Sequence, residues 1–237
     1  MNPVYKISIL PQTKISISQG NSKLGKDIWT FNLLPGDEPL KTKDKLLVNI
    51  RGTCHGCCQG CKEACYAIND TKRYHNTVIP AVAKNTLMLR ANLKDTLSQV
   101  KQALITNKAK VCRFHSSGEF DSYDHLKAVY ELAESTPEIQ FYFYTKRFDW
   151  MQQLLAEKKK LPPNLVCNLS EWHDNLKGYK LEGLNRFVYD DHTDPEVEKL
   201  KHCPAVNAKG NKTGVTCSQC GLCWKANTGR RIAVHAH

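Results

Sequence analysis

No stretch of the 237-residue sequence approaches the roughly 20 consecutive apolar residues that a membrane-spanning helix requires, so no membrane partner is expected. The opening residues MNPVYKISILPQTK lack the apolar core of a secretion signal, which points to a cytoplasmic protein. Low-complexity tracts are missing too. Hydrophobic residues at 41% and charged residues at 24% match ordinary globular composition, and this excludes a disordered chain. Acidic residues are the scarcer charge, 23 Asp+Glu against 34 Lys+Arg, which leaves a net charge of +11. That excess is compatible with a nucleic-acid partner, but the lysines are dispersed, from Lys158–Lys160 to Lys199, Lys201, Lys209, Lys212 and Lys225. Lysines near helix ends also serve simply to complement the helix dipole.

Cysteine, by contrast, is abundant. Eleven are present, in a chain long enough to build a hydrophobic core without staples, and the odd count argues against a disulfide framework. Five fall between residues 54 and 65, at Cys54, Cys57, Cys58, Cys61 and Cys65. Four more lie near the end, at Cys203, Cys217, Cys220 and Cys223, with His202 preceding the first. Cys112 and Cys167 stand alone inside apolar runs and read as small core residues.

The periodicity predicts an α/β fold. Residues 1–45 read as a small N-terminal β appendage, with Lys6–Leu10 and Lys14–Ser18 around a Pro11-Gln12-Thr13 turn. Residues 46–200 read as a core of alternating strands and helices. Leu46–Ile50 forms the first strand, and a long helix from Pro80 carries Val82, Leu89, Leu93, Leu97, Val100 and Leu104. A second strand covers Lys110–His115, and Ser122 caps the helix that follows it. Further strands are expected at Ile139–Thr145, Leu165–Leu169 and Arg186–Tyr189, and Arg231–His235 offers a sixth. Asp149 is placed as the cap of one intervening helix, and Asp194-Pro195 starts another. Five or six such units imply mostly parallel strands in a partial (β/α) barrel, with the Cys-rich segment 201–237 packing on it.

In such folds chemistry collects at the carboxyl edge of the sheet. The polar loops follow that rule. Cys54-x3-Cys58-x2-Cys61 sets three thiolates on one glycine-containing loop, a spacing that selects iron and sulfur or zinc. Three ligands on a [4Fe-4S] cubane leave one iron open, whereas a fourth from Cys65 or the C-terminal group closes it. Cys203 with Cys217-x2-Cys220-x2-Cys223 makes either a second site, of cluster or zinc-ribbon type, or part of one composite site. The loop His115–Asp121 gathers candidate catalytic groups: Glu119 as ammonium ligand or general base, and His115 as metal ligand or hydrogen-bond donor. Ser116 and Ser117 are candidate substrate contacts. Lys146 is placed as a catalytic cation and Arg147 as a ligand for an anionic substrate, while Glu171, Trp172, His173 and Asp174 are candidates to line the same cavity. The expected substrate is a small molecule.

Thr53-Cys54-His55-Gly56-Cys57-Cys58-Gln59-Gly60-Cys61 resembles the radical S-adenosylmethionine pattern C-x3-C-x2-C. That resemblance implies a [4Fe-4S] cluster on Cys54, Cys58 and Cys61. It also puts Ser117-Gly118-Glu119 where the superfamily's Gly-Gly-Glu loop holds the amine of S-adenosylmethionine. Over residues 46–225 the chain also resembles the phage gene product 88 family. The shared features are Cys65-Tyr66-Ala67, His115-Ser116-Ser117-Gly118-Glu119-Phe120, Phe141-Tyr142-Phe143-Tyr144-Thr145-Lys146, and Cys203-Pro204 through Cys223-Trp224. The likeness implies an iron-sulfur protein on a barrel-like scaffold, working in the cytosol of the bacterial host.

Three functions are compatible with these motifs. The first is a radical-SAM-like enzyme with an open iron, and the second a non-redox hydrolase of esterase type using that iron as a Lewis acid. The third is a cluster- or zinc-stabilised binding protein with closed sites.

Overall fold

A computed structural model describes residues 14–40, 50–74, 76–172, 175–207, 209 and 211–235. Short strands open the chain: β1 (Ile17–Gln19), β2 (Ile28–Phe31), β3 (Pro39–Leu40) and β4 (Ile50–Arg51). Four helices follow, α1 (Gln59–Glu63), α2 (Tyr66–Arg73), α3 (Val78–Ala91) and α4 (Leu93–Thr106). Strands and helices then alternate through β5 (Val111–Phe114), α5 (Tyr123–Glu134), β6 (Gln140–Thr145), α6 (Phe148–Lys158), β7 (Leu165–Glu171) and β8 (Asn185–Asp190). The chain closes with α7 (Pro195–Glu198), α8 (Cys217–Cys220) and β9 (Arg231–His235).

The main sheet has seven strands in the order β1-β2-β5-β6-β7-β8-β9. All neighbours from β2 to β9 are parallel, and β1 alone runs antiparallel, against β2. Sequential order in a parallel sheet requires a crossover at each step, and α3 to α6 supply those between β2 and β7. Among the described residues no pairing joins β1 to β9, so the sheet has two edges.

Period-2 alternation divides the sheet's faces. Phe31, Cys112, Phe114, Phe141, Phe143, Leu165, Cys167 and Leu169 point to the helices and join Leu97, Val100, Leu104, Leu126, Val129, Met151 and Leu154 in the main core. Burial of each such side chain stabilises by roughly 1.5–3 kcal/mol before entropy is counted. The opposite face presents Ile28, Val111, Tyr142 and Val166, and here the cover is the C-terminal segment, through Cys217, Cys223 and Trp224.

Several sequence expectations need correction. Ile28–Phe31, within the expected appendage, is the first parallel strand of the main sheet. Lys6–Leu10 and most of Leu46–Ile50 lie outside the described residues. The end of the latter, Ile50, pairs antiparallel with Leu40 in a separate two-stranded sheet rather than in the parallel one. The single helix expected from Pro80 is two helices. Asn92 takes an extended conformation between them, and its side chain accepts the Asp95 N–H at 3.0 Å. Asp149 is not a cap. It sits in the first turn of α6, its carboxylate engaged by Arg147 at 3.0 and 2.6 Å. Ser122 and Asp194 do cap their helices.

Candidate metal centre

Both cysteine groups face one cavity of about 720 Å3. From the first group the lining residues are Cys54, Cys57, Cys61 and Cys65, and from the second Cys203, Cys217, Cys220 and Cys223. Cys58 is the residue before α1 and does not line the cavity.

The first group is positioned by backbone contacts on either side of Cys54. The Cys54 N–H donates to Gly36 O at 2.8 Å, and the N–H of Thr53 donates to Leu34 O at 2.9 Å. Thr53 Oγ1 in turn accepts the Glu119 N–H at 2.9 Å, joining the cysteine loop to the loop after β5. Gly118 makes that approach possible. Its φ is +85°, and a Cβ there would stand 2.8 Å from both Leu33 Cβ and Thr53 Oγ1.

The second group lies under the opposite face of the sheet. Asn168 of β7 donates to Cys223 O at 2.8 Å and to Phe143 O at 3.1 Å, and Trp224 Nε1 donates to Cys217 O at 2.9 Å. Thr216 caps α8 with a reciprocal capping box to Gln219, and Gly221 closes that helix in the left-handed conformation.

Among the thiols, each is influenced most by others of its own group. The thiols acting on Cys223 are Cys203, Cys217 and Cys220, whereas Cys54 feels Cys65 and Cys57, and Cys61 feels Cys65 and Cys58. Burial pushes the Cys57 thiol up to about 11 and that of Cys223 to about 12, and it raises Cys54, Cys61 and Cys217 as well. These thiols are therefore neutral until a metal displaces their protons. Cations stand ready on both sides: Lys146 beside Cys61 and Cys54, Arg113 and Lys23 beside Cys217. Such charges offset the negative charge of a thiolate-bound cluster.

Among the described residues, neither group brings three sulfurs within 4.8 Å of one another. Thiolates around one zinc ion at about 2.3 Å stand only about 3.8 Å apart. A cubane binds each cysteine at a separate iron and holds the sulfurs farther apart, and soft thiolate donors of this kind serve zinc and iron-sulfur clusters alike.

The remaining candidates fall into two sets. Glu119 lines the cavity and braces two loops: its Oε1 accepts the Phe120 N–H and its Oε2 the Lys146 N–H, both at 2.9 Å. Burial raises its pKa despite these bonds. Lys146 extends from the end of β6 to donate to Ser170 Oγ at 3.0 Å. Burial opposes its charge, but Cys61, as a thiolate, and Glu119 outweigh that and raise its pKa above the ordinary value. His115 donates from Nδ1 to Phe31 O at 2.9 Å, and burial lowers its pKa to about 4, so the ring is neutral. Its Nε2 is buried without a partner, and so is Ser116 Oγ. Ser117 Oγ donates to Leu33 O at 3.0 Å and fixes the loop.

Arg147 is not brought to the cavity. It pairs with Asp149 and stacks over Trp150 at 3.3 Å. Trp172 lines the cavity and stacks on Tyr189, whereas Glu171 meets Arg231 at 3.2 Å. His173 and Asp174 lie outside the described residues.

Cys57, an alternative to Cys58 in a zinc knuckle with Cys54, Cys61 and Cys65, lines the cavity, whereas sequence reasoning passed over Arg113, Tyr144 and Asn168 as part of the site. The last three sit at alternate strand positions opposite the helix-facing apolar set, a polar period-2 signal legible within β5, β6 and β7. No helix among the described residues is long and apolar enough to cross a membrane. No curated protein and no solved structure matches the chain. The sequence profile of the family described as Gene product 88 matches residues 12–226, a span that includes both cysteine groups and the His115–Asp121 loop, and the chain belongs to that phage family.

Proposed function

We propose that the protein is an iron-sulfur enzyme with one [4Fe-4S] cluster on the first cysteine group and a second on Cys203, Cys217, Cys220 and Cys223. The observation carrying this reading is that Cys54 and Cys61 face, together with the second cysteine group, one cavity that also contains Glu119, Lys146 and Ser170, with Cys58 beside them at the start of α1. Chain order supports a radical-SAM-like, barrel-related architecture. The first cysteine group lies in the crossover between the first and second parallel strands, β2 and β5, and Ser117-Gly118-Glu119 follows the second. In this reading Cys54, Cys58 and Cys61 hold the reactive cluster. The chemistry such a group would supply when bound is one-electron reduction of a sulfonium compound.

The protein's own residues do the rest. Glu119 and Ser116, which both line the cavity, face a polar small molecule. Lys146 supplies positive charge at a fixed point, and the buried walls restrict water. The neutral His115, with its free Nε2 lone pair, is suited to accept a hydrogen bond or proton.

A second reading rests on Cys57 and Cys65 lining the cavity in place of Cys58. Four ligands from Cys54, Cys57, Cys61 and Cys65 would close the first cluster, giving an electron relay or binding module. Hydrolysis at an open iron is the non-redox form of the first reading.

Anaerobic purification followed by iron and sulfide analysis tests the proposal. About eight irons per chain and absorption near roughly 400 nm are expected. Stoichiometric zinc without iron would end it. Cys58→Ser against Cys57→Ser and Cys65→Ser then separates the open cluster from the closed one. Deoxyadenosine release from S-adenosylmethionine with dithionite separates redox from hydrolytic chemistry, the latter assayed on chromogenic esters without reductant.

A further inference from the structure

At the far side of the sheet from β1, three side chains outside the cysteine sets converge on one point. Asp190 and His235 end β8 and β9 as register partners, and His202 is set beside them by its parallel bridge to Ala233. His202 Nε2 stands 2.9 Å from Asp190 Oδ2, and His235 Nδ1 stands 3.2 Å from the same oxygen. The three ligand atoms lie within 4.8 Å of one another.

The His235 contact is not a hydrogen bond. Its Nδ1 is buried, with the side chain 9% exposed, and has no partner of acceptable geometry despite the short distance. With His202 Nε2 in hydrogen-bond contact with the same Oδ2, the unpartnered His235 Nδ1 leaves a place where the three atoms can share a cation. The spacing agrees: ligands about 2.1 Å from a metal stand about 3.0 Å apart at right angles and about 3.4 Å apart at a tetrahedral angle. Asp190 is also prepared for single-oxygen ligation, because its Oδ1 accepts the His192 N–H at 2.9 Å and leaves Oδ2 to the site.

We infer that Asp190, His202 and His235 form a mononuclear site for a divalent transition metal. Two imidazoles and one carboxylate suit zinc or ferrous iron, whereas magnesium and calcium demand oxygen ligands. The site opens on a cavity of about 480 Å3, walled in part by His192, Glu198 and Asn207. Three protein ligands beside open space leave coordination positions for water or a substrate, the arrangement of a reactive site rather than a structural one. None of its three ligands is a cysteine, although Cys203 follows His202 and also walls this cavity.

The test is calorimetric titration of the full chain, purified with its cysteine-bound metal in place, with Zn2+, with Fe2+ under anaerobic conditions, and with Mg2+ as control. One equivalent of Zn2+ or Fe2+ is expected to bind, and Mg2+ none; the tighter of the two identifies the class. Asp190→Asn and His235→Gln should weaken that binding by more than about 100-fold while iron and sulfide content stay constant. His202, with a side chain 30% exposed, gives a variant, His202→Gln, that decides the matter even if the buried substitutions fail to fold. Absence of binding to the wild-type chain, or equal binding in wild type and His202→Gln, overturns the inference.

Discussion

Arg90 and Asp121 form a two-pronged ion pair, with Nε 2.8 Å from Oδ2 and Nη2 2.7 Å from Oδ1. The same guanidinium donates to Arg51 O at 2.8 Å and Gly52 O at 3.3 Å, and His55 Nε2 lies 3.1 Å from Asp121 Oδ1. One arginine on α3 thereby ties the backbone entering the first cysteine group to the loop that carries His115 and Glu119. Burial disfavours ionised Asp121, but Arg90 outweighs it and keeps the carboxyl below its ordinary range.

Asp121→Asn should therefore cost about 2 kcal/mol at neutral pH, read from urea unfolding. A depressed native pKa contributes stability above the ordinary value of 3.8, and that contribution is lost as the pH falls through the native value. The difference between wild type and variant should shrink on acidification below that value. A difference independent of pH would assign Asp121 a role other than ion pairing.

Gly118→Ala should destabilise the chain by about 1–3 kcal/mol, since the new Cβ meets Leu33 and Thr53 at a positive φ. Thermal melting measures the loss. An unchanged midpoint would show that the loop can move away from Thr53 without cost.

Asn168→Ala removes two buried donors and leaves the carbonyls of Cys223 and Phe143 with one partner fewer. A cost of about 1–3 kcal/mol follows. Cys223 should also become more reactive toward an alkylating reagent in the metal-free chain, as peptide mass spectrometry would reveal. Equal reactivity would mean that Trp224 and the α8 cap hold the segment without Asn168.

Lys146→Gln removes the cation next to Cys61. With a cluster on the first group, the reduced form loses more stabilisation than the oxidised one, so the reduction potential should fall by tens of millivolts. Potentiometric titration followed by electron paramagnetic resonance measures it. A potential that stays constant or rises would place the cluster away from Lys146.

Much of the site could be read from order along the chain. Strand-forming residues ending in polar loops located His115–Asp121, Lys146 and Trp172 on one edge, and the structure brings Glu119, Lys146 and Ser170 into the cavity there. Arg147 shows the limit of that reasoning. It follows Lys146 directly, but the chain turns into α6 and the side chain folds back onto Asp149 and Trp150.

The sequence by itself determined the α/β class, the helix-facing core and the two cysteine groups, because apolar periodicity and ligand spacing are local properties. Only the tertiary structure decided that Ile28–Phe31 opens the parallel sheet, since its β5 partners, such as Val111 opposite Ile28, lie far along the chain and pairing leaves no local mark. It also decided that the two groups share one cavity. The physical reason lies in the sheet. Its carboxyl edge presents the first group from outside the strands, and its free face seats the second through contacts such as Asn168 with Cys223, at separations no spacing rule encodes.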